Sequence, residues 1–247
     1  MSSFTQISPH YEDLMVGVPY TMWVGYLKLL WANFDVKPKE VLEVCCGTGK
    51  LCRLLALDDY EATGVDISES MVEEGNKIAK KNGLYIRLYC QDAAEMKLGR
   101  KFDAAFSFFD SLNYLADPLR CARAIARTAE HLKPGGLFAF DVNTPYAFEQ
   151  RMFDQEDMRP QIKVRYSWKG DWDADAKICN VKMKFWVGTT AFEEVHTQRA
   201  HSIDELTGWM SDAGFVSIRC YDAFTLDPPR GRSDRIHIVG STKPTAD

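Results

Sequence analysis

A buried strand that runs directly into a glycine-containing turn is the feature that most restricts how this chain can fold. Residues 41–51 read VLEVCCGTGKL. The aliphatic and β-branched first half predicts a buried strand, and Gly47 and Gly49 allow a tight turn that a ligand can approach closely. Because the turn opens a helix, the segment predicts an α/β fold with a nucleotide-like ligand at the turn.

An acidic residue near the end of this strand separates two classes of ligand. Glu43 lies where the ammonium group of a ligand would approach, whereas a pyrophosphate held at the helix N-terminus would be repelled by it. The dinucleotide fingerprint also needs a third glycine, and this chain has Cys52 there. A nicotinamide enzyme is therefore disfavoured, and a βα turn without any ligand remains the alternative.

The pattern E-x-x-C-G-T-G, followed by a second acid, resembles motif I of the class I S-adenosylmethionine-dependent methyltransferases. Cys45 stands where many members of that family carry glycine. The resemblance implies S-adenosyl-L-methionine as cofactor and S-adenosyl-L-homocysteine as its product. It also implies an α/β, Rossmann-like sheet of seven strands, with the last strand antiparallel and helices on both faces.

Further strands follow in the order of that family. Residues 61–66 predict a second strand that ends in Asp66, whose two carboxylate oxygens suit the two hydroxyls of a ribose. Residues 84–90 predict a third strand, after which Asp92 stands where the family places an acid near the adenine amino group; a simple surface turn is the alternative. The fourth strand is predicted at residues 102–109, and residues 132–141 predict a helix end, a turn and then the fifth strand.

The resemblance assigns the cofactor site to the turn, the strand ends and the N-terminal segment. Most of these residues follow a strand, where the carboxyl edge of a parallel sheet faces its ligand. The assigned residues are Tyr11, Tyr20, Glu43, Cys45, Gly47, Thr48, Gly49, Asp66, Ile67, Met71, Asp92, Ala93, Phe108 and Phe109.

The amino-acid composition limits the kinds of partner and the cellular compartment that we expect for this protein. The 30 basic and 35 acidic residues give a net charge of −5, so nucleic acid is not expected as a partner. The seven cysteines show no C-x-x-C spacing, which favours buried thiols in a reducing compartment over a disulfide framework or a metal site. Without a charged leader or a long apolar run, the protein is expected to be cytoplasmic and not membrane-bound. The sequence does not predict its oligomeric state.

The pattern of elements predicts three parts. Residues 1–37 form an aromatic-rich N-terminal helical cap, residues 38–145 and 202–243 form the cofactor-binding core, and residues 146–201 form an inserted antiparallel β lid with alternating apolar residues. This organisation is similar to a bacterial small-molecule branch of the methyltransferases, distantly similar to glycine N-methyltransferase and amino-sugar N-methyltransferases. In that branch the cap and lid cover the sulfonium and form the acceptor pocket.

Candidate acceptor residues follow the fourth and fifth strands. The resemblance places Asp110 where glycine N-methyltransferase uses an asparagine to contact its acceptor, and Tyr114 where related enzymes carry histidine. The alternatives are a helix N-cap for Asp110 and a packed aromatic for Tyr114. Asn113 and Asn143 are assigned to substrate binding from their positions near the strand ends.

Residues 193–201 alternate as a strand, so Glu194, His196 and Gln198 share one face. His196 is a candidate general base because its unperturbed pKa of about 6.5 lies near neutral pH. Arg199 is a candidate for binding a substrate carboxylate. A structural histidine and an ion pair across the lid are the alternatives.

Together these features predict a cytoplasmic S-adenosylmethionine-dependent methyltransferase that acts on a small molecule. N-methylation is preferred over O-methylation, because Asp110 and the aromatic lid suit an amine or a cationic acceptor. The amine must be neutral when it attacks the methyl group, which requires a base or a lowered amine pKa. The alternative is a catalytically inactive protein that binds the same cofactor in a regulatory or scaffold role. No metal is expected.

Overall fold

The computed structural model describes residues 4–244. Its strands are β1 (Glu40–Val44), β2 (Glu61–Asp66), β3 (Arg87–Cys90), β4 (Phe102–Ser107), β5 (Leu132–Asn143), β6 (Gln155–Asp157), β7 (Val164–Asp173), β8 (Ile178–Val187), β9 (Thr190–Arg199), β10 (Phe215–Asp222) and β11 (Arg235–Thr242). Its α-helices are α1 (Tyr11–Leu14), α2 (Tyr20–Asn33), α3 (Lys50–Leu57), α4 (Glu69–Lys81), α5 (Pro118–Glu130), α6 (Pro145–Glu149) and α7 (Ile203–Asp212). Short 3₁₀ turns cover Ser8–His10 and Ser111–Tyr114.

Seven strands form the central sheet in the order β10-β11-β5-β4-β1-β2-β3. β1 pairs in parallel with β2 and β4, whereas β11 is antiparallel to both β5 and β10. This confirms the predicted Rossmann-like sheet with its antiparallel last strand. The chain runs outward from β1 in one direction and then, from β4, in the other. Ligands of open α/β sheets bind at such a reversal, beyond the carboxyl ends of the strands.

Alternating residues of β1 enter different apolar layers. Val41 packs into the layer that contains α2 and α3, and Leu42 and Val44 pack into the layer that contains α5 and α7. A parallel strand that is covered on both faces needs apolar residues in succession, which is why this stretch of sequence has no polar–apolar alternation. Glu43 interrupts the run on the face it shares with Val41.

Helix α2 covers one edge of this core. Trp23, Leu27, Leu30 and Trp31 are buried along it. The many aromatic residues of the N-terminal segment are therefore explained by packing against the sheet and α3.

The second sheet has four antiparallel strands in the order β6-β7-β8-β9. Along β8, Val181, Met183 and Phe185 are buried, and the lysines at 182 and 184 are exposed. The sheet lies within residues 146–201, the segment predicted as the lid. That residues 1–37 act as a cap and residues 146–201 as a lid over the core stays a prediction.

Boundaries of three strands differ from the sequence prediction. β5 runs from Leu132 to Asn143, so it includes residues predicted as a helix end and a turn and extends past Asp141. β3 starts at Arg87, three residues later than predicted, and β4 ends at Ser107. Phe109 and Asp110 have φ angles of 72° and 49°, which end the extended ladder before the predicted strand end. A capping box begins α7: Ser202 accepts from the Glu205 N–H, and the Glu205 carboxylate accepts from the Ser202 N–H.

No helix in residues 4–244 has the length and apolarity that a membrane crossing requires. The same residues contain no group of three histidine, cysteine or acidic side chains placed to hold a metal ion.

Candidate active site

A cleft of about 1300 Å³ opens beyond the carboxyl ends of β1, β2 and β4, between the N-terminal segment and the second sheet. Pockets for one small ligand usually measure about 300–1000 Å³. The cleft therefore has room for two reactants side by side.

Three alternate residues of the turn after β1 have a left-handed backbone conformation. Cys45, Gly47 and Gly49 have φ angles of 58°, 54° and 66°. A Cβ at Gly49 would come within 2.9 Å of the Leu88 side chain, so this position requires glycine both for its φ and for space. Gly49 caps α3 and does not line the cleft, unlike Cys45 and Gly47. Cys45 adopts a conformation that is uncommon outside glycine.

Glu43 is 5% exposed and contributes to the cleft wall. Its Oε2 accepts a hydrogen bond of 3.0 Å from the Cys52 N–H at the start of α3. Burial raises the pKa of Glu43 to about 7. An ammonium group beside it would stabilise the ionised form, so the geometry fits a ligand that carries a positive charge here.

Asp66 is the last residue of β2 and lines the cleft. Its Oδ2 accepts from the Gly47 N–H and its Oδ1 from the Ser68 N–H, both at 2.8 Å. A carboxylate has about four lone-pair positions, so two remain for the hydroxyls of a ribose.

Asp92 and Arg120 form an ion pair at the next strand end, and both line the cleft. The sequence analysis found Asp92 but missed Arg120, which is on the exposed face of α5. Ala93 lies beside them on the cleft wall.

Aromatic rings from the N-terminal segment and the β4 end form one wall. The ring centroids of Tyr20 and Trp23 are 5.3 Å apart, and those of Trp23 and Phe109 are 5.1 Å apart. Burial raises the pKa of both Tyr11 and Tyr20 above the usual range, so both phenols stay protonated at neutral pH. Such rings attract a cation, including a sulfonium.

Asp110 occupies the N-cap position of the 3₁₀ turn, but its side chain does not cap that turn. Its Oδ1 accepts from Arg235 Nη2 at 2.8 Å and its Oδ2 from Gln198 Nε2 at 3.1 Å. Arg235 also pairs with Asp141. Of these, the sequence analysis proposed only Asp110. The strand alternation had placed Gln198 on the face of His196, but no pattern links Arg235 to an acid 125 residues away.

His196 is fully buried and does not line the cleft. Its Nδ1 lies 3.2 Å from the Tyr114 hydroxyl and its Nε2 lies 2.8 Å from Glu194 Oε2. Tyr114 does reach the cleft wall. The two candidates are thus in contact with each other, and only Tyr114 can touch a ligand.

Asn113 and Arg199 also lie outside the lining. Asn113 Nδ2 donates to the carbonyls of Asn143 at 3.1 Å and Arg199 at 2.8 Å, which ties the 3₁₀ turn to β5 and β9. The Arg199 guanidinium pairs with Glu205 at 2.7 Å. Asn143 lines the cleft. The structure therefore brings Asp110, Tyr114 and Asn143 to the cleft and places His196, Asn113 and Arg199 behind it.

The second sheet gives the cleft an apolar wall. The sequence predicted the alternation of apolar residues along these strands, but not that they face the cleft. The wall is made by Val164, Tyr166, Trp168, Met183 and Phe185.

Charge in the cleft is unevenly distributed. Eight acidic and four basic residues line it, an excess of four acidic residues. Each basic residue is paired with a carboxylate. The pairs are Lys50 with Glu12, Arg120 with Asp92, Arg159 with Asp157, and Arg235 with Asp110.

Known proteins share this sequence pattern and fold. Residues 41–136 match the family model of a methyltransferase domain. A putative methyltransferase of Geobacillus sp. (strain WCH70) is 28% identical over 235 residues, which cover 93% of this chain and 95% of that protein.

Two solved structures share the fold over nearly the whole chain. An S-adenosylmethionine-dependent methyltransferase from Clostridium acetobutylicum gives a TM-score of 0.84 at 23% identity, covering 98% of this chain and 100% of that one. CalS10 from Micromonospora echinaspora, an amino pentose methyltransferase solved with bound S-adenosylmethionine, gives 0.75 at 17% identity, covering 98% and 99%.

Proposed function

We propose that this chain, which is an S-adenosylmethionine-dependent methyltransferase, methylates the nitrogen of a small-molecule amine. One observation carries the choice of acceptor. Gln198 is 1% exposed, lines the cleft, and its Oε1 has no hydrogen-bond partner among residues 4–244. A buried carbonyl oxygen without a donor is costly, so the acceptor is expected to supply a hydrogen-bond donor here, as the N–H of an amine does.

The residues around the turn fit the cofactor. Glu43 would pair with its ammonium, Asp66 with its ribose hydroxyls, and Asp92 with its adenine amino group. A Cβ at Gly47 would lie 3.1 Å from Met71 Cε, so a larger residue here would push against the Met71 side chain, which also lines the cleft. When bound, the cofactor supplies an activated methyl group on a sulfonium, and the protein's task is to position the nucleophile in line.

Nitrogen is favoured over oxygen because of the groups that surround the acceptor space. Histidine is not among the residues 4–244 that line the cleft, and Lys50 is held by Glu12. A hydroxyl would need a base to become a good nucleophile, whereas an amine attacks through its own lone pair once it is neutral, a state that transfer out of water into the cleft favours. Asp110 and Gln198 then hold the N–H groups and direct the lone pair.

The walls also limit the rest of the acceptor. The acidic excess repels polyanions, and each lining cation is already neutralised by a carboxylate. The apolar wall formed by residues such as Trp168 and Phe185 favours a molecule with an apolar body. We therefore expect a neutral or cationic amine with an apolar portion, without phosphate groups. CalS10, which shares the fold of both sheets, is described as acting on an amino pentose.

Mass spectrometry of reactions with matched amines, phenols and phosphorylated amines tests this proposal. A gain of one methyl group on nitrogen, with faster turnover for amines that carry an apolar body, supports it. Gln198→Leu should lower turnover while the cofactor still binds, because the change removes the unpartnered oxygen and the amide N–H that donates to Asp110, both on the acceptor side of the cleft. Methylation confined to phenols or phosphorylated acceptors would overturn it. Cofactor binding without turnover of any acceptor would favour the regulatory or scaffold alternative.

A further inference from the structure

Glu194 on β9 holds the backbone of the N-terminal segment. Its carboxylate accepts from the N–H groups of Phe4 at 2.9 Å, Gln6 at 2.8 Å and Ile7 at 3.3 Å. A fourth contact, of 2.8 Å, joins it to His196 Nε2. Its side chain is only 9% exposed, so these donors replace water around the charge.

Phe4 needs such a restraint. It has a φ of 66°, a conformation that bulky residues rarely adopt and keep only when their surroundings enforce it. Its ring lines the cleft and lies 5.8 Å from the Tyr11 ring, 5.5 Å from Tyr114 and 4.4 Å from His196. The hydrogen bond from its N–H to Glu194 fixes this arrangement.

We propose that Glu194 is a positioning residue for methyl transfer, which fastens residues 4–7 to the second sheet and so keeps Phe4 and Tyr11 over the cleft. His196 acts through Glu194, since it orients the carboxylate with one ring nitrogen and contacts the Tyr114 hydroxyl with the other. This gives His196 a role that does not require contact with the acceptor. The proposal does not depend on whether the acceptor atom is nitrogen or oxygen.

A second glutamate fastens the other end of the same segment. Glu12 accepts from Thr48 Oγ1 at 2.7 Å, Lys50 Nζ at 2.8 Å and Arg53 Nη2 at 2.6 Å. The N-terminal segment is therefore held to the second sheet by Glu194 and to the cofactor turn by Glu12, and the cleft lies between these two attachments.

The charge state of Glu194 agrees with this role. Burial alone would raise its pKa, but the His196 contact and the backbone N–H groups outweigh burial and hold the pKa below its usual range. The carboxylate is thus an anion at neutral pH, as an acceptor of backbone N–H groups must be.

Glu194→Gln and the matched control Glu193→Gln test the proposal. Glu193 is the preceding residue on the opposite face of β9, where it is exposed and paired with Lys184. Replacing Glu194 puts an amide NH₂ among N–H donors. Hydrogen exchange of the Phe4, Gln6 and Ile7 amides should become at least about tenfold faster, and the cofactor Kd should rise about tenfold. The control should change neither quantity. Exchange that stays slow, or that speeds up while Kd and kcat stay at wild-type values, would overturn the proposal.

A double-mutant cycle separates positioning from general destabilisation. If Glu194 acts by holding Phe4, the effects of Glu194→Gln and Phe4→Ala on Kd and kcat overlap, and the double variant is little worse than the more impaired single variant. Fully additive effects would overturn the proposal. Glu194→Asp keeps the charge on a shorter side chain and should recover part of the loss. If Glu194→Gln folds poorly, Glu194→Asp is the variant that tests the proposal.

Discussion

Arg235 Nη2 donates a hydrogen bond of 2.8 Å to Asp110 Oδ1. Because Gln198 donates to the other carboxylate oxygen at 3.1 Å, the orientation of the Asp110 carboxylate is fixed from both sides. Asp110 is therefore expected to align the acceptor, because its remaining lone pairs can accept from an N–H group of that molecule.

Asp110→Asn should lower turnover about tenfold to a hundredfold, since a hydrogen bond to a charged group contributes about 1.5–3 kcal/mol. Cofactor affinity should change little, because Asp110 contacts the acceptor side of the cleft. Steady-state kinetics and calorimetry on the same preparation provide the comparison. Wild-type turnover would place the acceptor elsewhere, and loss of cofactor binding would assign Asp110 to the cofactor site or to the fold.

Asp66→Ala should weaken S-adenosylmethionine binding about tenfold or more, because it removes the oxygens expected to accept from the ribose hydroxyls. Glu61→Ala, at the exposed beginning of the same strand, is the matched control and should leave affinity unchanged. Calorimetric titration measures both. Equal affinity of the two variants would argue against this placement of the ribose.

Cys45 has a φ of 58° at a position where glycine would be unstrained. Cys45→Gly should therefore be nearly neutral or slightly stabilising, whereas Cys45→Val should cost about 1–3 kcal/mol because a β-branched residue fits this conformation poorly. Urea unfolding of the apo variants measures the free energy of unfolding. A valine variant as stable as the glycine variant would contradict the strain.

Arg199 and the backbone and hydroxyl of Ser202 lower the pKa of Glu205 to about 2, although burial opposes the shift. In the unfolded chain the pKa is about 4.3. The lowered pKa adds stability that is fully present above the unfolded value and is lost as pH falls toward 2. The difference in free energy of unfolding between wild type and Glu205→Gln should therefore shrink from pH 6 to pH 2.5. Asp204→Asn, in the same helical turn, serves as the control, and a difference independent of pH would contradict the assignment.

Local patterns were enough to predict the core sheet and to bring Glu43 and Asp66 to the cleft wall. Glu43 and Asp66 could be placed because each follows an apolar run whose direction in a parallel sheet is fixed by the next helix. The acceptor side depends on contacts between distant segments, such as Arg235 with Asp110 and Glu194 with the backbone of residues 4–7. Alternation put Glu194, His196 and Gln198 on one strand face, but it does not encode which of them meets the cleft. That is decided by Phe4, which covers His196 from a segment almost 200 residues away.

Glu43 should couple cofactor binding to proton release. Burial raises its pKa to about 7, so in the free protein it is largely protonated below that pH. An ammonium beside it would favour the ionised form, and binding near pH 6.5 should therefore expel a proton. The affinity for the cofactor should rise as pH increases through 7. Above that range Glu43 is already ionised before binding, so it causes no further rise. Calorimetry in buffers of different ionisation enthalpy counts the protons, and Glu43→Gln isolates this group from the ammonium of the cofactor itself. If wild type and Glu43→Gln exchange the same number of protons on binding, Glu43 is not the partner of the ammonium.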